Sequence, residues 1–252
     1  MKFDIITIFP RIFDSYFNES IIKRAQKKKL IKIGVHDLRD FTSNKRRTVD
    51  DRPFGGGPGM ILKVEPIYFA VQKLKTQNSK LKTTAKKSKP KRRVILFSAK
   101  GKTMAQADVR RWAKYDQLIL ICGRYEGVDE RVAEHIADEE ISVGNYVLTG
   151  GEIPAMIVVD AVSRLVPGVL GKKESLEDES FNGCLRTMDY GLRSKQNFKA
   201  VVGSRLAVDN NYLEYPQYTR PENFRRWKVP KVLLSGDHRK IRDWRRKAGK
   251  RK

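Results

Sequence analysis

Cysteine and histidine are scarce in this chain, and acidic side chains are heavily outnumbered. Two cysteines, Cys122 and Cys184, and three scattered histidines, His36, His135 and His238, leave little for a disulfide scaffold or a His/Cys metal site. Cys122 ends an apolar run with the pattern of a buried strand, so a reduced protein of the cytoplasm is a better reading than a bridged one. No apolar run reaches membrane-spanning length, which argues against a membrane partner. The first residues, Met1-Lys2-Phe3-Asp4-Ile5-Ile6, read as a strand. Asp4 interrupts the apolar segment, and no small-residue cleavage site follows, so a signal peptide is not expected. Nucleotide fingerprints are missing too. Ser98-Ala99-Lys100-Gly101-Lys102-Thr103 imitates the end of a Walker A loop, but the required first glycine falls on Leu96, and no G-x-G-x-x-G occurs.

What is present is positive charge. Fifty-three Lys and Arg against 29 Asp and Glu give a formal net charge of +24, which points to a polyanion partner. The charge is unevenly spread. No acidic residue occurs between Glu65 and Asp108, and from Arg239 onward only Asp243 interrupts the basic tail. A Lys-rich proteome would produce a basic chain without any such partner, and that reading competes.

Hydrophobic periodicity predicts an α/β protein. Phe3 to Phe9, Ile31 to His36, Val94 to Phe97 and Leu118 to Cys122 read as buried strands. Pro10 opens a helix along which Ile12, Phe13, Tyr16, Phe17, Ile21 and Ile22 recur at helical spacing. Pro66 to Leu74 and Met104 to Trp112 read as further helices. Ala155 to Val166 is apolar nearly all round, as in a helix buried deeply or at a subunit interface. Arg164 within that helix needs a partner or a task, and an ion pair with Asp160 one turn earlier competes with a functional role.

Three stretches are not packing sequences. Gly123-Arg124-Tyr125-Glu126-Gly127 follows a buried strand, and Val143 to Glu152 follows another. Glycine density at successive strand ends brings backbone N–H and C=O groups up to a ligand. The third, Asn44 to Met60, holds Asp50-Asp51-Arg52-Pro53-Phe54-Gly55-Gly56-Gly57-Pro58-Gly59, too rich in glycine and proline for a regular element. A flexible linker is the competing reading there. Lys75 to Arg93 has almost no apolar side chains and reads as a basic, disordered loop able to grip RNA. Near the end, Tyr215-Pro216-Gln217-Tyr218-Thr219-Arg220-Pro221 and Phe224-Arg225-Arg226-Trp227 alternate aromatics with cations, a mixture suited to stacking and phosphate contact.

Together these blocks resemble the bacterial tRNA (guanine-N1)-methyltransferase family, in order and over nearly the whole chain. The carriers are Cys122 to Arg131, Gly144 to Glu152, Asp51 to Met60, Pro167 to Gly171, Tyr218-Thr219-Arg220-Pro221 and Leu234-Ser235-Gly236-Asp237-His238. The resemblance implies an α/β fold of the SPOUT type, a parallel sheet with a deep trefoil knot, plus a small α-helical C-terminal domain. It implies residues 1–170 as the methyltransferase domain, 171–186 as a mobile lid, and 187–252 as an insertion followed by a basic helical tRNA-binding domain. It further implies a homodimer, tRNA as substrate, and S-adenosylmethionine as cofactor, with Mg²⁺ an open question. The product would be 1-methylguanosine at tRNA position 37.

By match, the cofactor loops are Leu96, Phe97, Ser98 and Ala99; Gly123, Arg124, Tyr125 and Glu126; and Val143, Gly144, Asn145, Tyr146, Val147 and Leu148 with Gly150 and Gly151. Ala99 stands where the family usually has proline. The general base is an aspartate in the family; here the aligned residue is Glu179, before Ser180-Phe181, with Asp178 its rival. Arg164 matches the arginine that contacts the target guanine. Asp50 and Gly59 match positions that read the neighbouring guanine, and Tyr218 and Arg220 are assigned to tRNA. The stretch from Arg186 to Asn211 is longer than the family usually shows. A non-catalytic basic RNA-binding protein, or a SPOUT enzyme with another RNA target, are the competing functions.

Overall fold

The apolar runs Phe3-Asp4-Ile5-Ile6 and Leu118-Ile119-Leu120-Ile121-Cys122 carry branched side chains on both faces, the pattern of strands covered on both sides. A computed structural model of the protein describes residues 1–77, 90–170 and 215–249 and places both runs at the centre of one parallel sheet. Its strands are β1 (Lys2–Thr7), β2 (Lys32–Asp37), β5 (Arg92–Thr103), β6 (Gln117–Cys122) and β7 (Glu139–Ser142), in the order β2-β1-β6-β5-β7. A two-residue pair, β3 (Asp50–Asp51) and β4 (Ile61–Leu62), closes the glycine-proline loop between them.

Alternate residues along each strand feed two separate cores. Phe3, Ile5, Ile95, Phe97, Leu118 and Leu120 face one. On that side lie α1 (Asp14–Phe17), α2 (Ser20–Lys27), α4 (Gln106–Trp112) and α6 (Glu152–Ser163). Ile6, Val94, Leu96, Ile119 and Ile121 face the other, covered by α3 (Val64–Gln77) and α5 (Glu130–His135). Each fully buried Ile, Leu or Phe contributes about 1.5–3 kcal/mol, so the central strands, and not the surface ion pairs, hold the sheet.

The helix expected from Pro10 onward is broken. Pro10–Phe13 is a 3-10 turn, α1 ends as the Asn18 side chain donates to the Asp14 carbonyl, and Ser20 adopts a positive φ of 45° as the first residue of α2. Helical spacing on both sides of the break hid it. Arg164 is not inside α6 but caps its end, with its N–H on the Asp160 carbonyl at 3.3 Å. The Asp160 carboxylate meets the Tyr16 hydroxyl.

The C-terminal unit is not wholly helical. An antiparallel ribbon, Asn223–Phe224 with Trp227–Lys228, precedes the helices Lys231–Leu234 and His238–Ala248. Phe224 and Trp227 pack onto the α3–α5 core, whereas Tyr218, Val229, Leu233 and Ile241 form a small core of their own with Phe54. No described helix is long and apolar enough to cross a membrane. The lid at 171–186, including Glu179 and Asp178, and the insertion at 186–211 lie outside the described residues, as does most of the basic loop at 75–93.

Candidate functional site

Because the sheet is all parallel, the loops leaving β5, β6 and β7 emerge at one edge, where α/β proteins place ligands. The β5 loop is a bulge inside the strand. Phe97 and Lys102 both pair with Ile141, so Ser98 to Gly101 are pushed out of the ladder. Gly101 makes this fit, since a Cβ there would lie 2.6 Å from the Ile141 nitrogen.

The turn after β6 carries backbone strain. Tyr125 sits at φ 60° with the residue 51% exposed, a costly conformation for an aromatic residue that packs against so little. After β7 the chain passes Gly144 and returns beside β6. There the Gly151 N–H bonds the Gly123 carbonyl at 2.9 Å, and a Cβ on Gly151 would lie 2.6 Å from the Cys122 Cα. No residue but glycine passes there without displacing backbone.

These loops surround a cleft of about 220 Å³. Leu96, Phe97, Ser98, Ala99, Gly123, Arg124, Tyr125 and Glu126 line it. So do Val143, Tyr146, Val147, Leu148, Gly150 and Gly151. Gly144 and Asn145 do not: Gly144 is tied to the Ser142 hydroxyl and Asn145 points to solvent. The cleft also takes in Lys100, Glu130, Glu140, Pro154, Tyr215 and Gln217, which the sequence did not assign to the cofactor. A strand-end glycine after Ser98-Ala99-Lys100 was the signal for the first of these. Tyr215 and Gln217, in a block read for RNA contact, carry no local sign of the cleft and arrive from the far end of the chain.

Arg124 is held firmly. Its Nε donates to the Glu152 carboxylate at 2.8 Å, and Glu152, itself buried, also accepts the Thr7 hydroxyl at 2.7 Å. The guanidinium lies 4.8 Å over the Phe9 ring. Lys100 answers the carboxylates of the cleft by pairing with Glu130. Burial pushes the Cys122 thiol well up from its ordinary value, and the nearby Glu152 adds to this. Cys122 is therefore an inert thiol at neutral pH, not a nucleophile.

The other assigned residues separate. Gly59, at φ 73°, crosses the Glu126 side chain, where a Cβ would lie 2.4 Å from Cγ. Asp50 lies on β3 and Arg164 at the end of α6, and neither lines the cleft. Arg220 grips Asp51 with two bonds, at 2.7 and 3.0 Å, while remaining largely exposed. Burial raises the Asp51 carboxyl, but the Arg220 bonds outweigh it and hold the pKa below its ordinary value. Tyr218 is only 5% exposed, packed with Val229, Leu233 and Ile241. Its ring serves that core, where the assignment to tRNA predicts an exposed stacking face. Burial likewise pushes its hydroxyl pKa up. Among the described residues no cluster of His, Cys, Asp and Glu is arranged to hold a metal ion.

A parallel sheet, a glycine-walled cleft at its strand ends and a charge of +24 define an α/β protein with a small-ligand-sized cleft and a strongly basic chain. Comparison with known proteins gives the family. The family model described as tRNA (Guanine-1)-methyltransferase TrmD matches residues 1–252. The tRNA (guanine-N(1)-)-methyltransferase of Dictyoglomus turgidum is 49% identical over 252 residues, 100% of this chain and 86% of the relative. That of Clostridioides difficile is 44% identical over 246 residues, 98% and 91% of the two chains. The crystal structure of tRNA (m1G37) methyltransferase from Aquifex aeolicus superposes with a TM-score of 0.59 at 37% identity, covering 97% of this chain and 87% of that one. This chain belongs to the tRNA (guanine-N1)-methyltransferase family.

Proposed function

We propose that this protein methylates N1 of guanine at tRNA position 37, with S-adenosylmethionine as the methyl donor. Methylation of guanine N1 in tRNA is the reaction for which the family and its curated relatives are named. The description of the Aquifex aeolicus enzyme supports position 37. One observation carries the reading: the three loops expected to hold the cofactor meet in one cleft, on a chain that the family model spans from end to end.

The residues present fit the cofactor. Gly101 and Gly151 let the cleft loops pack directly on neighbouring backbone, Tyr146 and Val147 offer exposed apolar surface in the lining, and the Glu126, Glu130 and Glu140 carboxylates suit a cation. Bound there, S-adenosylmethionine supplies a methyl group on a positively charged sulfur. The remaining work falls to side chains. Glu179, or Asp178 beside it, takes the proton from guanine N1 and leaves the lone pair on that nitrogen. Arg164 offsets the negative charge left on the base. Asp50, Gly59 and Arg220 belong to the surface that receives the anticodon region. Mg²⁺ is an optional addition to be tested by chelation.

The return of the chain at Gly150-Gly151 behind the end of β6 supports the trefoil knot. Phe9, Ile12, Tyr16 and Ile153 form an exposed apolar face at α1 and the start of α6, which supports a homodimer covering it. Residues 1–170 then form the methyltransferase domain of each subunit in the cytoplasm, and the C-terminal unit holds tRNA.

The test is methyl transfer from labelled S-adenosylmethionine to a tRNA with guanines at 36 and 37, beside a control with another base at 37. Label as 1-methylguanosine on the first alone is expected. Equal label on both would move the target elsewhere in the RNA. Glu179→Ala should cut turnover and leave cofactor affinity unchanged; full activity would sink that assignment.

A further inference from the structure

The C-terminal ribbon contains two residues that packing does not account for. Arg225 and Arg226 form the whole turn between its two strands, at φ 51° and 74°. Consecutive positive φ values belong to the turn that selects Asn-Gly or Gly-Gly, because a Cβ is crowded at both positions. The chain places two arginines there, and both side chains are exposed. Folding alone favours the smaller residues.

The turn is firmly mounted. The Arg225 guanidinium lies 4.3 Å over the Tyr68 ring, and Tyr68 meets Phe224 and Trp227 edge-on. Trp227 stacks on His135 at 4.3 Å, at the end of α5, the helix whose Glu130 and Ala133 line the cleft. The Arg226 guanidinium meets no carboxylate or carbonyl among the described residues. Lys228, also exposed, follows on the return strand. A rigid aromatic cluster thus joins the cleft wall to an outward-facing pair of cations.

We propose that the Arg225–Arg226 turn is a phosphate clip for the backbone of the tRNA substrate, setting how the RNA lies against the cleft. The proposal rests on the function given above. Phosphate contacts of this kind fix register without reading sequence, and each phosphate neutralised adds to the salt dependence of binding. A guanidinium fork suits two phosphate oxygens better than an ammonium does. Mounting the first arginine on Tyr68 removes freedom that would otherwise be lost on binding.

The test exchanges the turn for its conformationally favoured residues. The R225N/R226G variant removes both cations and relieves both crowded positions. It should unfold at the same or a higher temperature and bind S-adenosylmethionine as the wild type does. Its affinity for tRNA, read by fluorescence anisotropy, should fall about five- to tenfold, and the slope of log affinity against log salt should shrink by about two. R225K/R226K should recover most of the affinity. Unchanged tRNA affinity and salt slope in a folded R225N/R226G variant would overturn the clip. Should losing the Tyr68 stack unfold that variant, R226G alone gives the same reading with a slope change of about one. Binding is measured apart from methylation, so a wild type that binds tRNA without methylating it defeats the function while the clip is still read.

Discussion

Asp129 and Arg131, two residues apart, form a bidentate ion pair with side chains 0% and 1% exposed. Their remaining hydrogen-bonding capacity reaches the far end of the chain. Arg131 donates to the Pro221 and Thr219 carbonyls at 2.8 and 2.7 Å, and Asp129 accepts the Thr219 N–H at 2.7 Å. Desolvating two charges costs several kcal/mol each, and only this saturation offsets it. The pair is the staple that fastens the C-terminal unit beside the cleft turn.

Arg131→Met should therefore be far worse than its surface count of bonds suggests. It strands a buried carboxylate, at a cost of about 3–5 kcal/mol. Urea unfolding and proteolysis of the C-terminal unit check it. The double change D129N/R131M should recover part of the loss, and a single variant as stable as the wild type would remove the staple from the account.

Glu152→Gln tests what holds Arg124 in the cleft wall. The amide keeps the size of the side chain and drops the charge, weakening the bonds to Arg124 and Thr7 by about 1–3 kcal/mol. The expected result is looser S-adenosylmethionine binding by isothermal titration, with a smaller fall in melting temperature. Unaltered cofactor affinity would make Glu152 a structural residue of the first turn of α6 and nothing more.

Gly151→Ala is expected to damage fold and site together. Its Cβ would press on the Cys122 backbone, which sits in the central strand and cannot yield. A loss of about 1–3 kcal/mol follows from overpacking of this kind. Gly127→Ala, where a Cβ meets nothing within 4 Å, is the comparison for backbone strain without a clash. Melting curves should rank Gly151→Ala below it.

Glu139 gives the pH dependence. Burial raises its carboxyl, but hydrogen bonds from Arg111, Arg93 and Trp112 outweigh that and hold the pKa at about 2, from an ordinary 4.5. A carboxylate lowered on folding adds stability above its unfolded pKa and loses it as pH falls toward the folded one. Denaturation midpoints should therefore drop between about pH 4.5 and 2, by up to about 3 kcal/mol from this group. Glu139→Gln should flatten that part of the profile; a parallel profile would assign the loss to other carboxylates, Asp4 and Asp108 among them.

The α/β class, the strands β1, β5 and β6, and the glycine-rich cleft loops after β6 and β7 were legible in residue type; the parallel sheet and the β5 loop came from the family resemblance. A strand buried on both faces needs apolar side chains at every position, and a loop that crowds backbone needs glycine, so both constraints are written in residue type. The break before Ser20, the burial of Tyr218, the hold of Glu152 on Arg124 and the reach of Arg131 to Thr219 were not. Each depends on which distant segment arrives at a given surface, and the same tyrosine or arginine serves as core, staple or contact according to its neighbours. Helical spacing on either side of Ser20 is equally compatible with one helix or two. The sequence determined the layers and the family; only the tertiary structure decided which charges meet, because an ion pair between residues as far apart in the chain as Asp51 and Arg220 leaves no local pattern.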